Sequence, residues 1–282
     1  MKKLLIILIF LFTPFFTFAA TPILTITPEN PIQGEPVIIK IENLSDISKI
    51  SKITFDKKIL KPFLFKNIVT ALYGVDLNFK SGEYSLIVEL LDGTKIEKKI
   101  TIGTLKKYEE PLGIPEKLGG NSTTSQTNLV NTLAIENAQL ASLTTGKKSF
   151  WTNNFIYPIL KPIVTDNYGY TRITGQYSIT HKGVDFRADE STKVTAINRG
   201  VVRLVKTFRN YGKTVVVDHG LGVMSFYMHL SKINVNQGEL VLPGQLIGYA
   251  GQTGYAEQPH LHLTIRINNI SIDPIKFFNL FK

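Results

Sequence analysis

The 282-residue chain has no cysteine, and that absence removes several kinds of chemistry at once. Disulfides, thiolate metal sites, a cysteine nucleophile and a lipid-modified cysteine are all excluded. The fold must rest on an apolar core alone, and a chain of this length, 43% apolar, can build one. Beyond the first twenty residues no apolar run is long enough to span a bilayer. Histidine is scarce. There are five, and none occurs before residue 181.

The first twenty residues differ in kind from the rest. Lys2 and Lys3 precede an unbroken apolar run, Leu4 to Phe12, and residues 14–20 add aromatics and small residues. A short positive head, an apolar middle and a small-residue exit predict a secretory signal peptide over 1–20. Thr17 and Ala19 suit the −3 and −1 positions, which puts the cut near Ala19 or Ala20. The mature chain is then exported, periplasmic or attached to the cell envelope, with no membrane anchor left after cleavage; the alternative is an uncleaved membrane anchor, for which an apolar run interrupted by Pro14 is short. Its formal charge of +10 falls to +8 without Lys2 and Lys3. That balance suits acidic partners, namely nucleic acid, anionic lipid or an anionic wall polymer, or simply aids solubility, and export argues against nucleic acid.

Residues 21–104 read as short strands: ILTIT (23–27), VIIKIE (37–42), YSLIVEL (84–90) and KIEKKITI (95–102). Turn residues separate them, and Asp92-Gly93 between two alternating runs predicts a hairpin. The expectation is an immunoglobulin-like β-sandwich serving as a binding or spacer module. Residues 105–149 are expected to be a linker with one helix over 126–142, where Leu129, Leu133, Ile135, Ala138 and Leu140 recur at roughly helical spacing. From residue 150 to 282 strands return, divided by glycine turns, and predict one antiparallel β domain. The fold class is therefore mainly β, in two parts.

All five histidines fall in that second part, between His181 and His262. In QPHLHLTI (258–265), His260 and His262 alternate with leucines, so both point to one face of a strand. In HKGVDF (181–186), Gly183 gives the backbone room to bend between His181 and Asp185. In YMHL (227–230), His229 sits inside an apolar run. A catalytic zinc takes three protein ligands from His, Asp or Glu and leaves one position to water. His181, Asp185 and one histidine of the HxH pair supply such a set. Two further imidazoles remain beside it for proton transfer.

HKGVDF, YMHL and QPHLHLTIR, in this order, resemble the motifs of the LytM/lysostaphin-type zinc endopeptidases, which cut peptide bonds in bacterial peptidoglycan. YGKTVVVDHGLGVMSFYMHLS (211–231), the glycine pattern of residues 238–248 and GQTG (251–254) are similar too. The resemblance covers residues 150–282. It implies one zinc per chain held by His181, Asp185 and His262, with His229 and His260 as catalytic histidines. His260 would be the base and His229 the transition-state stabiliser. The strand-rich first part, the helix and WTNNFIYP (151–158) resemble the layout of Gram-negative members, which favours a D,D-endopeptidase acting on stem-peptide cross-links. His219 is expected to be structural or groove-lining, and Asn167 and Tyr170 are candidates for the substrate groove. Ligand histidines must be neutral, so metal should be lost below about pH 6. An exported wall hydrolase needs restraint, which a regulatory protein or the N-terminal module could supply. The alternatives are a non-catalytic activator of another wall hydrolase on the same fold, a lipoyl-like carrier and a metal-storage protein. A carrier needs a modifiable lysine at a hairpin tip, and storage gives no use to the two extra histidines.

Overall fold

The computed structural model describes residues 21–151 and 154–281. The signal peptide expected over 1–20 lies outside the described residues, as do Thr152 and Asn153 of WTNNFIYP. No described helix is long and apolar enough to cross a membrane.

Residues 23–102 form two four-stranded antiparallel sheets. The first has the spatial order Ile23–Thr27, Pro36–Glu42, Ile68–Gly74, Phe63–Phe65. The second runs Lys58–Leu60, Ile50–Phe55, Gly82–Leu90, Lys95–Ile102. Lettered along the chain, that is A-B-E-D facing C′-C-F-G, the immunoglobulin arrangement. The Asp92-Gly93 turn closes the last hairpin, with Gly93 in the left-handed region at φ 88°. Ile39, Ile41, Val69 and Ala71 of the first sheet meet Ile53, Leu86, Val88 and Ile100 of the second in one core.

The first sheet is buried on its other face as well. Ile38, Phe63 and Leu72 belong to the core of the C-terminal part. The Phe63 ring stands edge-on to Trp151 at 5.8 Å, and Phe65 to Phe281 at 5.9 Å. This double burial is what the unbroken apolar stretch of Val37, Ile38 and Ile39 encodes.

The segment expected as a linker is ordered and packed. Glu109–Pro111 pairs in parallel with Thr171–Thr174, whose hairpin partner is Tyr177–Thr180. The helix, α1, spans Thr123–Ala141 and starts earlier than the apolar spacing indicates, because the Ser122 hydroxyl caps it by accepting the Ser125 N–H. Its buried face is only partly the expected one: Leu129 and Leu140 are buried, but Ile135 and Ala138 are not. Ile135 is 68% exposed, whereas Glu136 is buried and accepts the backbone N–H groups of Asn210 (3.0 Å) and Tyr211 (3.3 Å). An acid that satisfies two backbone donors gains more from burial there than an isoleucine would.

The C-terminal part is built on one antiparallel sheet. Three neighbouring strands position the site: Val184–Arg187, then His260–Ile267, then Val223–Leu230. Alternation sends Leu261, Leu263, Ile265 and Ile267 into the core. His262, Thr264 and Arg266 stay on the opposite face, where they line a cavity of about 380 Å³ that α1 walls with Val130, Leu133 and Asn137.

Candidate active site

Pairing register brings the site together. Asp185 lies directly opposite His262, Arg187 opposite His260, and Met228 opposite His262 on the far side. His181 precedes its strand by three residues, and Gly183 lets the chain pass. A Cβ at Gly183 would lie 2.5 Å from both His262 Nε2 and the Leu263 carbonyl oxygen.

His229 reaches this face by a break in alternation. In Val223–Leu230, Met224, Phe226 and Met228 point to the groove side, while Val223, Tyr227 and Leu230 point to the main core. Parity therefore flips between Met228 and Leu230. The flip occurs at a register shift in the pairing with Gly212–Gly220, and His229 takes a left-handed backbone, φ 60°. A non-glycine residue in that region carries strain of about 1–3 kcal/mol, the kind of local cost found at functional sites. Without the extra residue His229 would face the core beside Tyr227.

Three donor atoms converge. His181 Nε2 is 3.1 Å from Asp185 Oδ1 and 3.0 Å from His262 Nδ1, and His262 Nδ1 is 2.7 Å from Asp185 Oδ1. All three residues are buried, and together they form a group that could hold a metal ion. The surrounding partners fix the tautomers. His181 Nδ1–H donates to the Asn167 carbonyl (2.9 Å), which leaves the Nε2 lone pair free. The Thr264 hydroxyl donates to the Lys182 carbonyl (3.0 Å) and accepts from His262 Nε2–H (2.9 Å), which frees Nδ1. On Asp185, Oδ2 accepts from Arg172 Nη2 (2.7 Å), so Oδ1 faces the two imidazoles. Two imidazole lone pairs and one carboxylate oxygen aimed at a common point, each with its outer hydrogen bond made, fit a divalent cation of the zinc type.

Electrostatics agree with that fit. Burial alone would raise the Asp185 pKa, but His181 and His262 beside it hold the carboxyl well below its usual range. Burial pushes His262 down to about 4, so its neutral, ligating form persists to lower pH than the unperturbed value implies. At His229 burial, reinforced by His260 and His262, holds the ring well below the usual histidine pKa.

Two of the other three histidines flank this group. His229 Nδ1–H donates to the Thr253 carbonyl (2.8 Å), from the GQTG loop, and His260 Nδ1–H donates to the Gln258 carbonyl (2.8 Å). Their rings are 4.8 Å apart, and His229 is 5.9 Å from the His262 ring. His260 Nε2 lies 3.8 Å from Asp185 Oδ1, outside hydrogen-bond reach. Both free ring nitrogens are thus acceptors beside the three-donor cluster.

His219 lies apart. It is fully buried, with Nδ1–H on the Arg199 carbonyl and Nε2 on the Ser225 hydroxyl, both 2.9 Å, and it has no place in the groove. Asn167 acts through its backbone carbonyl. The Tyr170 ring packs at a tilt against His181 (5.1 Å), and its hydroxyl receives Arg172 Nε–H (2.6 Å). Sequence reasoning missed Arg172 and Thr264. Thr264 could have been found, because it shares strand parity with His260 and His262. Nothing local marks Arg172, which arrives from a separate hairpin.

The comparisons with known proteins agree with this geometry. Residues 179–274 match Peptidase family M23. The chain is 34% identical over 116 residues to the DD-carboxypeptidase/endopeptidase Mpg of Neisseria meningitidis, a match covering 38% of this chain and 27% of that protein. It is 34% identical over 139 residues to lysostaphin of Staphylococcus simulans (45% and 25%). It is 38% identical over 96 residues to the peptidoglycan DD-endopeptidase ShyA of Vibrio cholerae (34% and 22%). The matched segment thus spans about a quarter of these relatives' length. A solved structure described as a putative peptidase M23 from Pseudomonas aeruginosa superposes with a TM-score of 0.62 at 23% identity, over 89% of this chain and 96% of that one. That likeness establishes a shared fold through both parts of the chain. Residues 179–274 are therefore a peptidase family M23 domain, of the LytM and lysostaphin type.

Proposed function

We propose that this protein is an exported, zinc-dependent endopeptidase that hydrolyses stem-peptide cross-links of bacterial peptidoglycan, of the D,D type. The observation that carries the reading is the set of three buried donor atoms, pairwise within 3.1 Å, with two oriented imidazoles beside them. His181, Asp185 and His262 would hold one zinc. Zinc bound there would polarise the scissile carbonyl and lower the pKa of a nearby water.

The chain's own groups do the rest. His260, the more exposed of the free pair, accepts a proton at Nε2 and passes it to the leaving amine. The Gln258 carbonyl keeps that nitrogen facing the groove. His229, which burial keeps neutral beforehand, takes a proton at Nε2 from solvent in the groove, donates it as a hydrogen bond to the tetrahedral oxygen, and returns it to solvent as the products leave. Thr253 holds its ring in place. Helix α1 and the Thr171–Thr180 hairpin wall the groove and align an extended peptide.

The test is mass spectrometry of fragments released from purified sacculi, with and without a chelator. Chelator-sensitive conversion of cross-linked dimers to monomers is expected. Failure to release fragments from several wall types, by protein with full metal occupancy, would transfer the reading to a non-catalytic activator on the same fold.

A further inference from the structure

Arg266 has no use in the mechanism above, yet its environment is unusual for an arginine. It is 8% exposed, and its guanidinium lies over the Phe226 ring at 4.6 Å. Among the described residues it makes no hydrogen bond and no ion pair, and its Nε is buried without a partner. A buried, unpaired charge is costly, and burial pulls its pKa below the ordinary arginine value. Such a group either has a structural partner or awaits one. The 380 Å³ cavity that it lines carries three cationic side chains, Arg172, Lys182 and Arg266, and no carboxylate. Arg172 is already engaged by Asp166 and Asp185. That leaves Arg266 and the exposed Lys182 facing the same space. A smaller cavity beyond them also has Asp76 on its wall, so an anion is better accommodated from the groove side.

Strand parity puts this charge in line with the reaction. Arg266 stands on the face of His262, four residues along one strand, about 13 Å away at 3.3 Å per residue. An extended peptide covers that span in two to four residues once the reach of the arginine is allowed for. We propose that Arg266, assisted by Lys182, is a specificity subsite for a carboxylate of the substrate peptide, two to four residues from the scissile bond. The site rests on the peptidase reading for the identity of the peptide, but not for its anion chemistry. A guanidinium held over an aromatic ring still offers its N–H donors as a planar fork, which suits a carboxylate.

The test is calorimetric binding of a synthetic, uncross-linked stem peptide with all carboxylates free, against the same peptide with them converted to primary amides. Wild-type protein should bind the acid form about tenfold more tightly, as expected of a charge-assisted hydrogen bond. Arg266→Gln should remove that preference by weakening the acid form only. Arg266→Lys should keep part of it, which guards against a glutamine variant that folds poorly. Equal weakening of both peptides by Arg266→Gln, no acid preference in the wild type, or no binding of either form would overturn the proposal. Acid preference lost in Arg266→Gln without any cleavage of sacculi would sink the endopeptidase reading and leave the subsite standing. Cleavage without acid preference would do the reverse.

Discussion

Two histidine–aspartate clusters lie in the same β domain, and they are built to opposite ends. In one, His181, Asp185 and His262 have every outward-facing atom occupied by Asn167, Arg172 and Thr264, so their inward lone pairs crowd a shared gap. In the other, Asp218 and His219 are just as buried, but no lone pair is left over. Asp218 accepts from Arg203 (2.9 and 2.7 Å), the Thr145 hydroxyl, Gly146 N–H and Gly220 N–H. His219 is closed off by the Arg199 carbonyl and Ser225, and Ser225 in turn contacts the Tyr227 hydroxyl. Residue type and burial do not separate a metal site from a structural knot. What separates them is where the unfilled hydrogen-bonding capacity points.

The largest effect should come from emptying the first cluster. Asp185→Ala and His262→Ala are expected to abolish both bound metal and hydrolysis, measured by elemental analysis and sacculus digestion. His229→Ala and His260→Ala should lose hydrolysis while retaining metal. Loss of metal from either of the latter would mean that the ligand set has been drawn wrongly. Asp218→Ala should behave in the opposite way. It should keep its metal, yet lose about 3–4 kcal/mol of stability in a denaturant titration, because buried donors and Arg203 lose their acceptor.

A pH series sharpens the contrast. Burial lowers the His219 pKa from 6.5 to about 4. Between those values the unfolded chain binds a proton that the fold excludes. The contribution of His219 is therefore whole above pH 6.5 and is lost as pH falls towards 4, by up to about 3 kcal/mol. His219→Gln should flatten that part of the stability–pH curve and leave metal content untouched. An unchanged slope would place the titration elsewhere. The smallest effect belongs to Thr264→Val, which removes the acceptor that fixes the His262 tautomer. Metal affinity should fall roughly 10–100-fold with little change in melting temperature.

Much of this was legible in the sequence, for identifiable reasons. Period-two alternation placed His260 and His262 on one face, and the Asp-Gly turn and strand count gave the sandwich. The exceptions arise where local rules yield to distant partners. His229 reaches the groove only through a one-residue parity break, which no pattern in YMHL announces. Glu136 displaces Ile135 from the buried face of α1 because two backbone donors 74 and 75 residues away need an acceptor. Asn167 acts through its carbonyl, and a backbone atom leaves no mark on residue type. Arg172 meets Asp185 across a hairpin, and its importance exists only in three dimensions.

The first sheet of the sandwich, buried on both faces, has a further consequence. Ile39 and Ile41 anchor one hydrophobic core, while Ile38 on the same strand anchors the other. The module cannot melt without stripping cover from the domain that holds the site. The two largest cores therefore share one sheet and are expected to melt as a single cooperative unit, so calorimetry should record one transition where the domain count would suggest two.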